Sequence, residues 1–403
     1  MSRDREQVLD GVSVLLHESQ PEAAGRGSGS HYLHGCERLI TCCDPDGIGD
    51  AFLEIERALD AGLTVAGGFT YELGYHLEPK LSPLAPTTKT PLLQVAAFRH
   101  DDRISSEAAE ELVAVKRTSM AGDVSGLELS YTETAESYDA KMLRILDYIH
   151  AGEIYQVNFT FPAHFHWASD VWSLYGALIK QQRVSFGAVI DLPDLKAASL
   201  SPELFFRKQG SRIESRPMKG TAGRGDDATE DDAIAAGLKA DPKNRAENLM
   251  IVDLIRNDLG RLATIGSVRV DDLYHIERYH TVHQMVSHVS AEIEPSTSLE
   301  TVMRHIFPCG SVTGAPKIRA MEIIAELEDA PRGIYTGAIG YVTPDRDMTF
   351  SVPIRTVELR DDGQATLGIG SGVVADSSIE GEYAECLLKA RFLRRAISGE
   401  GHS

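Results

Sequence analysis

Two glutamates and a lysine near the end of the chain have the spacing of one helical face. Glu382, Glu385 and Lys389 are three and four residues apart, so in a helix their side chains point the same way. The preceding segment, 367–376, is rich in glycine and can offer backbone amides to an anion. The pattern indicates a site for an anion or a cation, although a solvated helix face after a turn has the same pattern.

A further carboxylate, Glu247, lies in a segment whose apolar residues predict a buried helix. It stands one turn before Ile251, at the edge of the apolar face. A carboxylate in such a place must be paired or must bind a metal. One prediction is a salt bridge to Arg245 or Arg256. The other is a Mg²⁺ site that Glu247 shares with Glu385, because Mg²⁺ takes one or two carboxylates together with water and a substrate anion.

Lys219 stands between the end of a predicted strand and a segment rich in glycine and small residues, 220–225. A lysine amine becomes a nucleophile when burial or a neighbouring cation lowers its pKa. An exposed loop lysine is the commoner case, and the local sequence does not separate the two interpretations.

Hydrophobic spacing predicts the elements that must position these residues. Helical spacing predicts helices at 49–61, 134–151, 246–259, 302–306, 315–326 and 380–397. Alternating or apolar runs predict strands at 154–165, 186–191, 197–200, 204–208, 212–215, 334–343 and 348–358. The elements come in clusters without strict alternation, which favours antiparallel sheets covered by helices, the α+β class. We divide the chain into residues 1–130 and a denser part, 131–403.

Composition narrows the class of partner. The chain has 40 Lys and Arg residues against 60 Asp and Glu, a net charge of −20, which disfavours nucleic acid and anionic membranes as partners. An anionic substrate would therefore need a metal ion or a few placed basic residues. Five cysteines without a CxxC pair, and no apolar signal segment, predict reduced thiols and a cytoplasmic protein. No apolar run approaches the ~18 residues of a membrane span.

Seven ordered blocks of sequence carry a resemblance to a known family. They are IHAGEIYQVN (149–158), SPE (201–203), PMKGT (217–221), AENLMIVDLIRND (246–258), GSVTGAPK (310–317), GIGSG (368–372) and EYAECLLK (382–389). Together they resemble the chorismate-utilising enzymes, which include anthranilate, aminodeoxychorismate, isochorismate and salicylate synthases. The resemblance runs from about residue 138 to residue 392. It implies an α+β fold in which two central antiparallel sheets pack together with helices outside.

The resemblance also implies a chorismate site. Glu247 and Glu385 would hold Mg²⁺ against the substrate, with Glu382 nearby, which makes sense of a dianionic substrate on an acidic protein. Glu203 would be the general acid that protonates the departing C4 hydroxyl. The other positions that match binding residues of the family are Gln156, Gly220, Thr221, His283, Ser311, Tyr335, Arg355, Gly370, Ser371, Gly372 and Lys389.

Two of these positions separate the branches of the family. Members that add water carry a lysine base where this chain has Gln156, and glutamine cannot accept a proton from water at neutral pH. Anthranilate synthases usually carry alanine at the position of Lys219, whereas aminodeoxychorismate synthases carry lysine. In that branch the lysine attacks C2 and expels the C4 hydroxyl, and ammonia then attacks C4 and expels the lysine. The resemblance thus implies formation of 4-amino-4-deoxychorismate, the precursor of 4-aminobenzoate and folate.

Two other interpretations stay open. One is anthranilate synthase component I, and the other is a non-catalytic relative that binds chorismate or an amidotransferase. The chain has no nucleophile-elbow block of a glutaminase, and its 403 residues suffice only for the synthase part. The resemblance therefore implies that ammonia comes from a separate glutamine amidotransferase subunit.

Overall fold

A computed structural model describes residues 11–20, 29–118, 128–279 and 282–391, together with residues 9 and 393. Its α-helices are α1 (Ile48–Asp60), α2 (Leu73–Leu77), α3 (Ser106–Lys116), α4 (Ala135–His150), α5 (Val171–Leu178), α6 (Ala228–Ala240), α7 (Pro242–Gly260), α8 (Leu299–Ile306), α9 (Lys317–Leu327) and α10 (Ile379–Lys389). Short 3₁₀ helices lie at Pro45–Gly47, Ser82–Leu84 and Gly310–Val312. The strands are β1 (Ser13–His17), β2 (Ser30–Cys42), β3 (Thr64–Phe69), β4 (Leu93–Ile104), β5 (Ser130–Tyr131), β6 (Gln156–His166), β7 (Phe186–Leu192), β8 (Leu195–Ser201), β9 (Leu204–Gln209), β10 (Arg212–Arg216), β11 (Met218–Gly223), β12 (Arg269–Arg278), β13 (Val282–Glu292), β14 (Gly314–Ala315), β15 (Ala338–Val342), β16 (Met348–Ser351), β17 (Thr356–Leu359) and β18 (Gln364–Val373). The predicted α+β class is confirmed.

The two helices that carry the candidate metal ligands begin at side-chain caps. Asp241 precedes α7 and accepts a hydrogen bond from the backbone N–H of Asn244, while Pro242 takes the first helical position, where no N–H is needed. Ser378 caps α10 in the same way. The predicted last helix, 380–397, is observed as α10, and residues 394–397 lie outside the described part of the chain.

The strands form one continuous antiparallel sheet that divides into two halves. In half one, hydrogen-bonded neighbours run in the order β12, β13, β10, β9, β16, β15, β3, β4, β2, with β11 also on β13. In half two the order is β1, β7, β8, β17, β18, β6, with β5 and β14 on β6. The pairing of β1 with β2 joins the halves. Strands on both sides of residue 130 pair with each other, and a domain boundary there stays a prediction.

Three hydrophobic clusters show how the halves are layered. One cluster lies between the halves and contains Ala96 of β4 and Ile190 of β7. The next residue on β4, Ala97, belongs to a second cluster under α1, α7 and α8. The preceding residue on β7, Val189, belongs to a third cluster under α4, α5 and α9. Because side chains alternate along a strand, each half has an inner face and a helix-covered outer face. This is the sandwich of two sheets that the resemblance implied.

One predicted strand, 348–358, is wrong as a single element. The structure divides it into β16 and β17, which lie in different halves of the sheet. Pro353 has no N–H to donate to a ladder, and Arg355 has a φ of 52°, in the left-handed region. The predicted strand 334–343 likewise begins only at residue 338, because Thr336 has a φ of 61°.

Two of the points at which the chain crosses between the halves touch each other. One crossover follows Ser201, at the end of β8, and contains Glu203; the other contains Val352 and Arg355. The hydroxyl of Ser201 donates to the carbonyl of Val352 at 2.6 Å. The N–H of Val352 donates to the carbonyl of Glu203 at 3.1 Å. The fold therefore brings a glutamate and an arginine to the seam between the two halves.

All five cysteines are free thiols. In the part of the chain that the structure describes, no helix has the length and apolar character needed to cross a membrane.

Candidate active site

Lys219, Gln156 and Gly372 meet where the two halves face each other. Lys219 lies on β11 in half one, whereas Gln156 begins β6 and Gly372 is near the end of β18, both in half two. A Cβ built on Gly372 would stand 3.1 Å from Nζ of Lys219 and 2.8 Å from Nε2 of Gln156. Only a residue without a side chain leaves both groups in place, so glycine here keeps the amine and the amide side by side.

The amide of Gln156 is buried without a partner. The residue is 1% exposed, and neither its Oε1 nor its Nε2 has a hydrogen bond among the described residues. A buried amide without hydrogen bonds costs free energy of about 1–3 kcal/mol per group. Such a group beside a lysine amine indicates a place where a bound molecule supplies the missing partner.

Removal from water lowers the pKa of the Lys219 amine, and the neighbouring charge of Lys389 lowers it as well. The carboxylates of Glu247, Glu203 and Glu385 act in the opposite direction. The lowered pKa raises the fraction of uncharged, nucleophilic amine at neutral pH. Lys219 is thus not the exposed loop lysine that was the commoner interpretation of its sequence.

Glu203 is a buried carboxyl group at the first crossover. Burial raises its pKa to about 7, against a hydrogen bond from Ser311 and the charge of Lys219. Its Oε1 has no partner among the described residues. A carboxyl group that is half protonated near neutral pH and has a free oxygen is suited to donate a proton.

Cys309 is a neighbour of Glu203 that the sequence analysis missed. Its Sγ lies 3.2 Å from Oγ of Ser311, and burial raises the pKa of the thiol to about 12, with the Glu203 charge adding to the effect. The thiol therefore stays neutral. The block 310–317 marked this segment, but nothing in the sequence separates an inert thiol from a reactive one.

Glu247 on α7 and Glu382 on α10 are close enough for their charges to interact. Burial raises the pKa of Glu247, Lys219 and Lys243 oppose the shift, and the carboxylates of Glu382 and Asp376 add to it. Arg245 stacks on the ring of Tyr274 and Arg256 pairs with Asp253, so these arginines are engaged elsewhere. This outcome argues against the simple salt bridge that was one prediction for Glu247.

The candidate ligands Glu247, Glu385 and Glu382 have the donor type that Mg²⁺ prefers, because all three offer negatively charged carboxylate oxygens. The described residues contain no ready-made group of three or more His, Cys, Asp or Glu side chains that could hold a metal ion. Glu385 pairs with Lys389 at 2.7 Å, and Glu382 accepts a hydrogen bond from Ser377 at 2.7 Å. A Mg²⁺ site here would therefore be completed by a substrate anion and water.

Lys389 ties α10 to the glycine-rich strand. Its Nζ donates to the carbonyl of Gly370 at 2.9 Å. A Cβ on Gly370 would stand 2.4 Å from the carbonyl oxygen of Phe159, so the close approach of β18 to β6 requires glycine. Next to it, Ser371 is buried beside Tyr138 and Cys386.

Arg355 brings an uncompensated positive charge to the seam. Its guanidinium forms no hydrogen bond or salt bridge to another described residue, and burial lowers its pKa. An arginine of this kind is suited to bind a carboxylate. Tyr335 lies against the glycine strand, since a Cβ on Gly368 would stand 2.1 Å from its ring.

The remaining predicted binding residues lie around β11 and β13. Gly220 has a φ of 88°, and a Cβ on it would stand 2.8 Å from Oδ1 of Asn244. The exposed Thr221 donates to Oε1 of Gln284 at 2.9 Å.

His283, on β13, is held from the side of α6. Its Nε2 lies 2.7 Å from Oδ1 of Asp231, which also pairs with Arg224. Its Nδ1 is buried without a partner in the described part of the chain. The structure therefore joins His283 to Asp231 and shows no bond from it to Lys219 or Glu203.

Residues 47–395 match the chorismate binding enzyme family, and the chain belongs to it.

Similar proteins within the family carry two names. Aminodeoxychorismate synthase component 1 of Escherichia coli (strain K12) is 42% identical over 264 residues, which are 66% of this chain and 58% of that protein. Its counterpart from Bacillus subtilis (strain 168) is 38% identical over 287 residues, 71% of this chain and 61% of that protein. Anthranilate synthase component 1 of Cereibacter sphaeroides is 41% identical over 280 residues, which are 68% of this chain and 55% of that protein. The matched segments span less than two thirds of each relative.

Solved structures support the fold. Anthranilate synthase component I from Streptococcus pneumoniae TIGR4 superposes with a TM-score of 0.76 at 23% identity, over 91% of each chain. The menaquinone-specific isochorismate synthase of Escherichia coli superposes with a TM-score of 0.69 at 18% identity, over 96% of this chain and 89% of that one. The shared fold is thus compatible with more than one reaction.

Proposed function

We propose that this chain converts chorismate and ammonia into 4-amino-4-deoxychorismate, as component 1 of an aminodeoxychorismate synthase. The observation that carries the proposal is the position of the Lys219 amine beside Gln156 and Gly372. Glu203 is close enough to Lys219 for the two charges to affect each other's pKa. The relatives named aminodeoxychorismate synthase component 1 support it.

In the first step the uncharged amine of Lys219 attacks C2 of chorismate. The two ring double bonds shift, and the C4–O bond breaks. Glu203 donates a proton, so that the hydroxyl group leaves as water. Burial supports both roles, because it lowers the pKa of the lysine and raises that of the glutamic acid.

In the second step ammonia attacks C4, and the double bonds shift back. The bond between C2 and Nζ of Lys219 breaks, and the proton that the new C4 ammonium group loses goes to the lysine nitrogen. The proton that Nζ lost after its attack on C2 restores the acid form of Glu203. The net reaction consumes one chorismate and one ammonia and forms one 4-amino-4-deoxychorismate and one water. Because the lysine nitrogen is bonded to C2 when ammonia attacks, the nitrogen of ammonia is added at C4.

Gln156 restricts the nucleophile to nitrogen. Its amide can hold a substrate oxygen or an amine by hydrogen bonding, but it cannot take a proton from water. Hydroxylation at C2 therefore lacks a base at this position.

Glu247 and Glu385, with Glu382 nearby, would hold Mg²⁺ on the side of the site formed by α7 and α10. When bound, Mg²⁺ would neutralise a substrate carboxylate and orient it. Arg355, Lys389 and the backbone of β18 would bind the remaining negative charge of the substrate.

Two further expectations belong to this proposal. Ammonia would come from a separate glutamine amidotransferase subunit, and the product would serve 4-aminobenzoate and folate synthesis in the cytoplasm. The names of the relatives, as the first component of a synthase, are the support for a partner subunit.

The lysine mechanism is tested with Lys219→Ala and, as a control, Lys239→Ala on the exposed part of α6. Each variant is mixed with chorismate, Mg²⁺ and ammonium, and 4-amino-4-deoxychorismate is quantified by liquid chromatography and mass spectrometry. We expect Lys219→Ala to lose this product and Lys239→Ala to retain it. Normal product formation by Lys219→Ala would exclude the lysine as the nucleophile.

Anthranilate synthesis is the second candidate function. It is favoured by the 41% identity to the Cereibacter sphaeroides anthranilate synthase component 1. The two candidates are separated by the product, because anthranilate forms with release of pyruvate whereas 4-amino-4-deoxychorismate keeps the enolpyruvyl group.

A further inference from the structure

Arg332 uses its whole hydrogen-bonding capacity inside the protein. Its Nε and one Nη2 bond go to the carboxylate of Glu328 at 2.8 and 2.7 Å. The other bonds go to the carbonyl of Asn158 at 2.7 Å, the carbonyl of Val312 at 2.8 Å and the hydroxyl of Thr336 at 3.4 Å. These are five bonds for the five N–H groups of a guanidinium.

Each of the three backbone or hydroxyl partners lies close in sequence to a candidate active-site residue. Asn158 is two residues after Gln156 on β6, and Val312 follows Ser311 in the 3₁₀ helix. Thr336, whose φ is 61°, follows Tyr335.

Glu328 extends the same group of bonds to β6. It also accepts hydrogen bonds from the N–H and the hydroxyl of Thr160, at 2.8 and 3.0 Å. The side chains of Arg332 and Glu328 are 2% and 6% exposed. The guanidinium also lies 4.3 Å from the ring centre of Tyr71.

We propose that Arg332, together with Glu328, is a positioning residue that holds the segments carrying Gln156, Ser311 and Tyr335 in register with one another. The proposal rests on the function given above and on the expectation that these residues bind chorismate. Arg332 itself contacts backbone and buried side chains and acts on the substrate only through the segments it joins.

A buried ion pair is weak support for stability by itself, because desolvation of two charges offsets their attraction. What the guanidinium provides is a planar fork that joins two carbonyl groups, a hydroxyl and a carboxylate at fixed angles. Lysine at position 332 would keep the charge near Glu328 but would lose the fork geometry. The substitution therefore separates charge pairing from alignment.

The test compares Arg332→Lys with the control Arg346→Lys. Arg346 also makes several bonds, to Glu56, Asp60 and the carbonyl of Pro344, but it lies at α1, away from the site. Chorismate consumption is measured per folded molecule, with the folded fraction taken from thermal unfolding. Chorismate affinity is measured by calorimetry with Mg²⁺, which gives a readout independent of the product formed.

For Arg332→Lys we expect kcat/KM to fall by about 10- to 100-fold, with KM raised and kcat lowered in the folded protein. Chorismate affinity should weaken in the same variant. For Arg346→Lys we expect a lower unfolding temperature with unchanged kcat, KM and affinity. Arg332→Lys with wild-type kcat, KM and affinity would overturn the inference.

A double variant, Arg332→Met with Glu328→Gln, is the control for misfolding, because it leaves no unpaired charge in the interior of the protein. We expect this variant to fold and to show the same loss of kcat/KM and affinity as Arg332→Lys. Full kcat/KM in the folded double variant would show that the pair has only a structural role. If the wild-type chain bound chorismate but formed another product, the proposed function would fail while these comparisons would still decide the role of Arg332.

Discussion

Nζ of Lys219 lies 3.1 Å from the point where a Cβ on Gly372 would stand. The two residues come from different halves of the sheet, so this approach depends on the packing of the whole molecule. Because the lysine amine is so close, there is no room for a side chain at position 372 on β18.

The first prediction follows from this approach and concerns Gly372→Ala. The added methyl group would displace the amine of Lys219 and the amide of Gln156, and displacement of a reacting group by about 1 Å can cost on the order of 100-fold in rate. We expect kcat/KM to fall by about that factor. The control is Gly237→Ala on α6, where a Cβ meets nothing within 4 Å. Equal activity of the two variants would show that position 372 does not border the reacting groups.

The second prediction is a loss of activity as pH rises through about 7. The group responsible is Glu203, whose pKa burial raises to about 7 against the opposing effects of Ser311 and Lys219. A general acid works in its protonated form, so kcat/KM should fall above this pKa. On the acid side kcat/KM should fall as well, because the amine of Lys219 reacts only in its uncharged form. A profile of kcat/KM against pH measures both limbs.

The third prediction concerns Glu203→Gln, which cannot donate a proton to a leaving hydroxyl group. We expect a fall of about 10²- to 10⁴-fold in kcat and loss of the limb near pH 7. Chorismate affinity should change little, because the amide keeps the size of the acid. A variant with the original pH limb would assign that limb to another group.

The fourth prediction concerns stability and Glu72. Burial raises its pKa to about 7, while its oxygens accept hydrogen bonds from the N–H groups of Arg332 and Gly333. The folded state thus favours the protonated acid, so its contribution to stability is full below about pH 4.5 and is lost as pH rises through about 7. Relative to Glu72→Gln, the free energy of unfolding should fall by up to about 3 kcal/mol over this range. Denaturant unfolding of both proteins at several pH values checks the difference.

The fifth prediction concerns the metal. Chelation should stop turnover, and Mg²⁺ should restore it. Glu247→Gln should raise the Mg²⁺ concentration for half-maximal activity by at least about 10-fold, because it removes a charged oxygen donor. The control is Glu54→Gln on the exposed face of α1. An unchanged Mg²⁺ requirement in Glu247→Gln would remove this residue from the set of ligands.

The sequence predicted the elements around the site better than it predicted the seam between the halves. Helical spacing placed α7 within a few residues, because Ile251, Val252 and Ile255 form a continuous buried face. The strand 348–358 was predicted as unbroken, because an apolar run does not reveal that its two ends pair in different halves. The position of Arg355 at a crossover is thus a property of the tertiary fold.

The sequence also could not reveal the network around Arg332. Glu328 and Arg332 are four residues apart, a spacing that also fits an exposed pair. Their burial depends on contacts with Asn158 and Val312, which are more than 150 residues apart from each other in the sequence. The family resemblance, in contrast, predicts roles for Lys219, Glu203 and Gln156, because each of them lies in a contiguous block of the sequence.

Amination at C4 is the central claim, and the position of the new nitrogen tests it most directly. The purified chain is incubated with chorismate, Mg²⁺ and ¹⁵N-labelled ammonium, and the product is examined by mass spectrometry and NMR. We predict one ¹⁵N bound to C4 in a product that keeps its enolpyruvyl group. A ¹⁵N-labelled anthranilate with release of pyruvate, or a product hydroxylated at C2 without ¹⁵N, would contradict the account.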